Sequence, residues 1–233
     1  MRKQENYDYG KLPLFDGINP EEVDGLMGCL SGHIREFKKN EYIIMDEDEA
    51  RYVCVVLEGC VHMLKEDEEG HRSFLIYIQP GELFDESFAL RRIRRSKVSF
   101  LAARRTVALF LPFSKVMNMC SNGCRFHQRM IENMYELLTV KNLFLMQKID
   151  IVSKERLRDK VLAYLKLQLT GDPGMGASRG IEILGDDTVR IPLNKSELAH
   201  YLNVNRTSLC RELTLMEEEQ LIAVDGDTYK VLG

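Results

Sequence analysis

The amino-acid sequence predicts an α+β protein in three parts: an N-terminal jelly-roll β-barrel, a long helix, and a C-terminal winged helix-turn-helix. Three observations predict it. Short β-prone runs separated by turns recur from Glu41 to Leu111, a helical period takes over after Asn122, and a helix, tight turn, helix, hairpin order closes the chain. The implied boundaries are 1–118 for the barrel, 119–153 for the long helix and 154–233 for the C-terminal domain. A length of 233 residues suits two compact units joined by something structural.

The first element is a short helix over residues 20–32. Pro20 stands at a helix-start position, Glu21 and Glu22 suit the first turn, and Val23, Leu26, Met27 and Leu30 recur at helical spacing, so it should lie against the barrel. The strands are read at Tyr42–Met45, Tyr52–Leu57, Cys60–Leu64, Ser73–Ile78, Val98–Leu101 and Val107–Leu111. Glu58-Gly59 and the acidic tip Glu66–Gly70 read as hairpin turns with Gly supplying a positive φ, and such evenly spaced short strands indicate a jelly-roll or barrel.

In the long helix, Ile131, Met134, Leu138, Leu145, Ile149 and Val152 fall near a heptad spacing, interrupted by Lys141 and Lys148. A partner helix is the simplest cover for that stripe, which predicts a homodimer through residues 125–152; a helix packed only within its own chain is the alternative. Glu155–Leu169 reads as a further amphipathic helix, and Thr170–Gly180, with four glycines and a proline, as a linker. Ile181–Leu184 and Thr188–Ile191 read as strands, followed by two helices and a final hairpin about Asp225-Gly226.

Composition narrows the function classes. The net charge is −4, which removes any argument from a globally basic protein, so a claim about nucleic acid must rest on a local motif. No apolar run approaches a bilayer span and the polar N-terminus has no secretory core, so a cytoplasmic protein with no membrane contact and reduced thiols is expected. The six cysteines (Cys29, Cys54, Cys60, Cys120, Cys124, Cys210) form no ribbon or disulfide framework, and most are expected as packing residues. With no Gly-rich phosphate loop, no nucleophile, base and acid constellation and no metal-hydrolase motif, an enzyme is not expected.

The local motif is Leu193–Leu202, a tight turn at Asn203-Val204, then Asn205–Met216. Leu198, Ala199 and Leu202 can bury the first helix, with Ala199 small where two helices cross, and Leu209 and Leu213 anchor the second. Asn205 caps that second helix, leaving Arg206, Thr207, Ser208 and Arg211 on its outward N-terminal face, where a recognition helix meets base edges. Arginine pairs bidentately with guanine, and hydroxyls reach bases or phosphates. Lys195 and Arg190 add to the local positive surplus, and the final hairpin makes the wing. The expected partner is double-stranded DNA with a roughly palindromic operator.

From Leu12-Pro-Leu-Phe15 through Val56-Leu-Glu-Gly59, Gln79-Pro-Gly-Glu-Leu-Phe84 and Glu197-Leu-Ala199 to the wing, the chain resembles the CRP/FNR family of bacterial regulators. The resemblance implies a cyclic-nucleotide-binding-like barrel, sequence-specific transcription regulation, base reading by Arg206, Thr207 and Arg211, and RNA polymerase as a further partner. Thr207 stands where many members carry glutamate, so a departure from the usual operator is expected.

By the same resemblance the effector pocket falls at Asp85, Glu86, Ser87, Arg95 and Ser96, with Leu143 and Phe144 at the purine-reading pair. Asp85 replaces a glycine and puts a side chain and a negative charge where backbone should approach an anion, with Lys97 as a possible offset. Leu143-Phe144 supply no polar groups. The implied effector is therefore an unidentified small molecule other than cyclic AMP, with no cofactor assigned. Two alternatives stay open: a cyclic-nucleotide-responsive regulator, or a thiol or metal sensor using Cys120 and Cys124 with His127, spaced to share one helical face.

Overall fold

The computed structural model describes residues 7–69, 72–89, 94–118, 125–170 and 181–232. It divides into two compact units, Met1–Thr139 and Val140–Gly233.

The first unit opens with α1 (Pro20–Leu30), closed at its start by a capping box in which Asn19 and Glu22 exchange side-chain and backbone hydrogen bonds. Eight antiparallel strands follow: β1 (His33–Phe37), β2 (Tyr42–Ile44), β3 (Tyr52–Glu58), β4 (Val61–Glu66), β5 (Arg72–Ile78), β6 (Leu83–Phe84), β7 (Ser99–Ala102) and β8 (Thr106–Pro112). They form two sheets, ordered β1-β8-β3-β6 and β2-β7-β4-β5. Two short helices, α2 (Glu86–Ala89) and α3 (Phe113–Met117), precede α4 (Arg125–Ser153), which runs on into the second unit. The strands expected from the sequence are all present within two residues of their limits, while β1, β6, α2 and α3 were not anticipated.

Alternation along the strands gives the first sheet two buried faces. Val53, Val55, Leu83, Leu109 and Leu111 pack with Leu14, Phe15, Val23, Leu26 and Leu30, and with Met130 and Met134 of α4. The opposite face carries Phe37, Cys54, Phe84 and Phe110, and Phe84 meets Phe100 of the second sheet at 5.3 Å between ring centroids. Burying a side chain of this size stabilises by about 1.5–3 kcal/mol. Gly59, at the β3–β4 turn, has φ +92, and a Cβ there would lie 2.4 Å from the Arg105 carbonyl oxygen, so no other residue fits.

The second unit continues from α4 into α5 (Leu157–Thr170), then β9 (Glu182–Gly185), β10 (Thr188–Arg190), α6 (Lys195–Tyr201), α7 (Arg206–Glu218), β11 (Ile222–Asp225) and β12 (Thr228–Val231). Its sheet is ordered β11-β12-β10-β9. Val161, Leu165, Val189, Leu198, Leu209, Leu213, Met216 and Tyr229 fill the core. Most of the predicted linker lies outside the described residues.

The heptad stripe of α4 does not have one cover. Met134 lies in the core of the first unit, with Ile131 and Leu138 packed against it, so this part is covered within the chain. Ile149 of the stripe (64 %) is exposed, as are its neighbours on α4, Tyr135 (55 %) and Met146 (58 %). Cys54 and Cys60 are buried as packing residues should be, whereas Cys29 is exposed. Among the described residues no helix is long and apolar enough to cross a membrane.

Candidate nucleic-acid interface

The helix-turn-helix is built by local capping. Asn194 begins α6, its side-chain oxygen accepting from the backbone N–H groups of Ser196 (2.9 Å) and Glu197 (3.0 Å), while the Glu197 carboxylate accepts from the Asn194 N–H (2.9 Å). The turn closes with the Val204 N–H donating to the Ala199 carbonyl at 3.0 Å, and Asn203 takes the left-handed φ of 55° that asparagine tolerates. Asn205 then caps α7, accepting from the Ser208 N–H at 2.7 Å.

Burial decides which face of α7 looks outward. Leu209, Leu213 and Met216 are in the core, and Leu198, Ala199 and Leu202 meet them from α6 and its end. Arg206, Thr207, Ser208 and Arg211 are all exposed, as is Lys195 at the first position of α6. Among the described residues neither Arg206 nor Arg211 meets a carboxylate. The acids of α7 are held elsewhere: Arg158 of α5 donates to Glu212 at 3.1 Å and to Glu219 at 2.9 and 3.1 Å, and Glu217 accepts from the Val224 N–H at 3.0 Å. The arrangement leaves a cationic, hydroxyl-bearing N-terminal helix face, suited to phosphates and base edges. Arg190 belongs to the sheet, paired with Glu182 and Asp227. The wing turn is made by Gly226 at φ +61.

Sequence reasoning missed Arg158 and the capping role of Asn194. The second was legible as Asn-x-x-Glu before an apolar run; the first shows only as two carboxylates seven residues apart on the face of α7 turned to α5.

In the barrel, Asp85 stands at φ +62, the left-handed turn a glycine would occupy, and its carbonyl accepts from the Phe88 and Ala89 N–H groups, both at 3.1 Å. Asp85 and Glu86 are buried, and the Ser87 hydroxyl donates to Glu86 at 3.0 Å. Burial first, then these two carboxylates, push the Cys54 thiol well above its ordinary value, which keeps it protonated and unreactive. Arg95 is exposed and donates to the Glu47 carbonyl at 2.8 Å. The Ser96 hydroxyl donates to the Val98 carbonyl at 2.7 Å. Lys97 does not offset Asp85, because its ammonium pairs with Glu47. Leu143 and Phe144 stand on the part of α4 that belongs to the second unit, where Leu143 lines a groove with Met146, Ile151 and Leu167.

His127 is buried and its Nε2 lies 2.9 and 3.0 Å from the carbonyls of Lys115 and Val116, so that nitrogen carries the proton and ties α4 to α3. Cys120 and Cys124 lie outside the described residues, and among the described residues no group of three potential ligands gathers.

A pair of packed sheets followed by a capped helix-turn-helix and a wing defines a two-domain regulator of the DNA-binding class. Residues 34–122 match the cyclic nucleotide-binding domain and residues 160–232 the Crp-like helix-turn-helix domain. The chain belongs to the CRP/FNR family of transcription regulators. It is 19% identical over 205 residues to the transcriptional activator protein FnrL of Cereibacter sphaeroides, covering 86% of this chain and 76% of that protein. Among solved structures, it shares the fold of the regulator CLP of Xanthomonas campestris, described as c-di-GMP responsive (TM-score 0.67, 14% identity, 90% of this chain and 99% of that one). FixK2 of Bradyrhizobium japonicum has the same fold (TM-score 0.58, 15% identity, 87% and 93%).

Proposed function

We propose that this chain is a homodimeric, sequence-specific DNA-binding regulator of the cytoplasm, not an enzyme, that places α7 of each protomer in successive major grooves of a roughly palindromic operator. The observation that carries the reading is the outward face of α7, where Arg206, Thr207, Ser208 and Arg211 are exposed beside an Asn205 cap while Arg158 engages Glu212 and Glu219 on the same helix. The exposed Tyr135, Met146 and Ile149 of α4 support a helix-to-helix dimer contact within residues 125–152. RNA polymerase is the expected further partner. A small molecule in the barrel acts by favouring one arrangement of the two DNA-reading heads.

The test is selection of an operator from random double-stranded DNA, followed by affinity measurement on Arg211→Ala. Losing one base-reading arginine costs about 1–3 kcal/mol, so an affinity drop of roughly tenfold to a hundredfold with relaxed specificity at one base pair is expected. An unchanged affinity and sequence preference would refute the assigned face.

The effector is read as something other than cyclic AMP, because the groups expected to hold a cyclic phosphate are otherwise engaged: Arg95 on a backbone carbonyl, Ser96 on Val98. A second reading, a cyclic-nucleotide regulator, draws on the left-handed turn at Asp85, which keeps the backbone shape of the glycine it replaces. Thermal unfolding with millimolar cyclic AMP or cyclic GMP separates the two: a raised melting temperature supports the second, no shift the first.

A further inference from the structure

Lys148 is a buried cation. It lies on α4 at 8 % exposure, its Nζ 5.0 Å from the ring centroid of Tyr201, and that ring sits 5.0 Å from Tyr164 of α5. Tyr201 is the last residue of α6, and the next residues form the turn into the recognition helix. An ammonium over an aromatic face is held by the ring quadrupole, more strongly where water is excluded. The ladder Lys148, Tyr201, Tyr164 therefore joins three helices at the point where the helix-turn-helix turns.

We infer that Lys148 is a positioning residue for DNA recognition: its ammonium grips the Tyr201 ring and so sets the seat of the α6–α7 turn on α4. The inference rests on the regulator reading above. A lysine is an uneconomical way to fill a buried site, since methionine has similar length and no charge to desolvate. What lysine adds is directional attraction to the Tyr201 ring.

The test uses the full chain and the operator it selects from random double-stranded DNA. Lys148→Arg and Tyr201→Phe keep a cation and a ring and should bind within about twofold of the parent, whereas Lys148→Met and Tyr201→Leu should lose roughly tenfold. The loss must come without loss of folding, checked by circular dichroism. Hydrogen exchange at the Asn203 and Val204 amides, which donate to His200 and Ala199, gives a second reading of the seat and should quicken in the two weak variants.

A pH profile separates positioning from bulk packing. Burial lowers Lys148 to about 8, so the parent should lose affinity relative to Lys148→Arg as pH rises through 8, while the arginine variant stays charged. The titratable groups on the surrounding elements are Lys195, Glu197, His200 and Tyr201 on α6, Arg158, Asp159, Lys160, Tyr164 and Lys166 on α5, and Lys141 and Asp150 on α4, with Lys154 just beyond the end of α4 and paired with Asp150 at 2.8 Å. Both chains share them, so the difference between chains isolates Lys148. Equal affinity and equal exchange in parent and Lys148→Met would overturn the inference. Absence of any selected operator for the parent would instead overturn the regulator reading on which it rests.

Discussion

Replacing Lys148 by methionine should make the protein more stable at neutral pH, and the size of the gain follows from its surroundings. Burial lowers the ammonium from 10.5 to about 8, which corresponds to a penalty on the charged form, relative to the unfolded chain, on the order of 3 kcal/mol. The contact with the Tyr201 ring, worth about 0.5–2 kcal/mol, favours the charged form and offsets part of that penalty. Lys148→Met removes both, for a net gain of roughly 1–3 kcal/mol at pH 7. The dependence on pH has a definite sign. Because the folded value lies below the unfolded one, the unfolded chain binds more protons between about 8 and 10.5, so the parent gains stability relative to the variant as pH rises across that window. The gap is full below pH 8 and closes towards 10.5. Urea unfolding of parent and variant, followed by circular dichroism at one protein concentration from pH 7 to 10, measures it. A variant less stable than the parent at pH 7, or a gap that does not change with pH, would refute the reasoning.

Three further outcomes are expected. Gly59→Ala should destabilise the first unit by several kcal/mol, since a left-handed backbone and a 2.4 Å approach to a carbonyl act together, and thermal unfolding should show it; a shift under about 1 kcal/mol would mean the turn is remade at little cost. Asn205→Ala should cost about 1 kcal/mol through the orphaned Ser208 N–H, lowering the melting temperature by a few degrees, while Asn205→Asp should recover it. Asp85→Gly keeps the left-handed turn and removes a buried carboxylate, so it should raise the melting temperature and, if that carboxylate is what excludes an anion, permit a further rise with millimolar cyclic AMP that the parent lacks.

How far the molecule could be read from its residues depended on how local each signal was. The run Tyr52–Leu57 announces a strand because Val53 to Val56 are buried on both faces, and the helix-turn-helix is legible because its caps, turn and anchors lie within two dozen residues. Strand β1, His-Ile-Arg-Glu-Phe, escaped notice because its side chains are mostly exposed and its partner, β8, is some seventy residues away. The stripe on α4 has one period from Ile131 to Val152, yet Met134 is covered by its own chain and Ile149 is exposed; periodicity identifies a face and not what lies on it. The effector pocket was the least legible part. Arg95 and Ser96 stand at the expected positions in the chain, but whether they serve an anion depends on side-chain direction, and theirs is taken up by the Glu47 and Val98 carbonyls.

The clasp of Arg158 on Glu212 and Glu219 bears on how fast, as well as how firmly, the head finds its target. Glu212 of α7 and Glu219 at its C-cap are matched by one guanidinium on the side that faces α5, while Arg206 and Arg211 keep their charge on the side that faces outward. If α7 reads DNA as proposed, a chain of net charge −4 is repelled by that polyanion on average, and a head with segregated charge should turn the repulsion into orientation: encounters with the wrong side rejected, those with α7 forward drawn in. Association should therefore slow steeply with added salt even though the protein is acidic overall, and loss of Arg158 should slow capture before it weakens the bound complex.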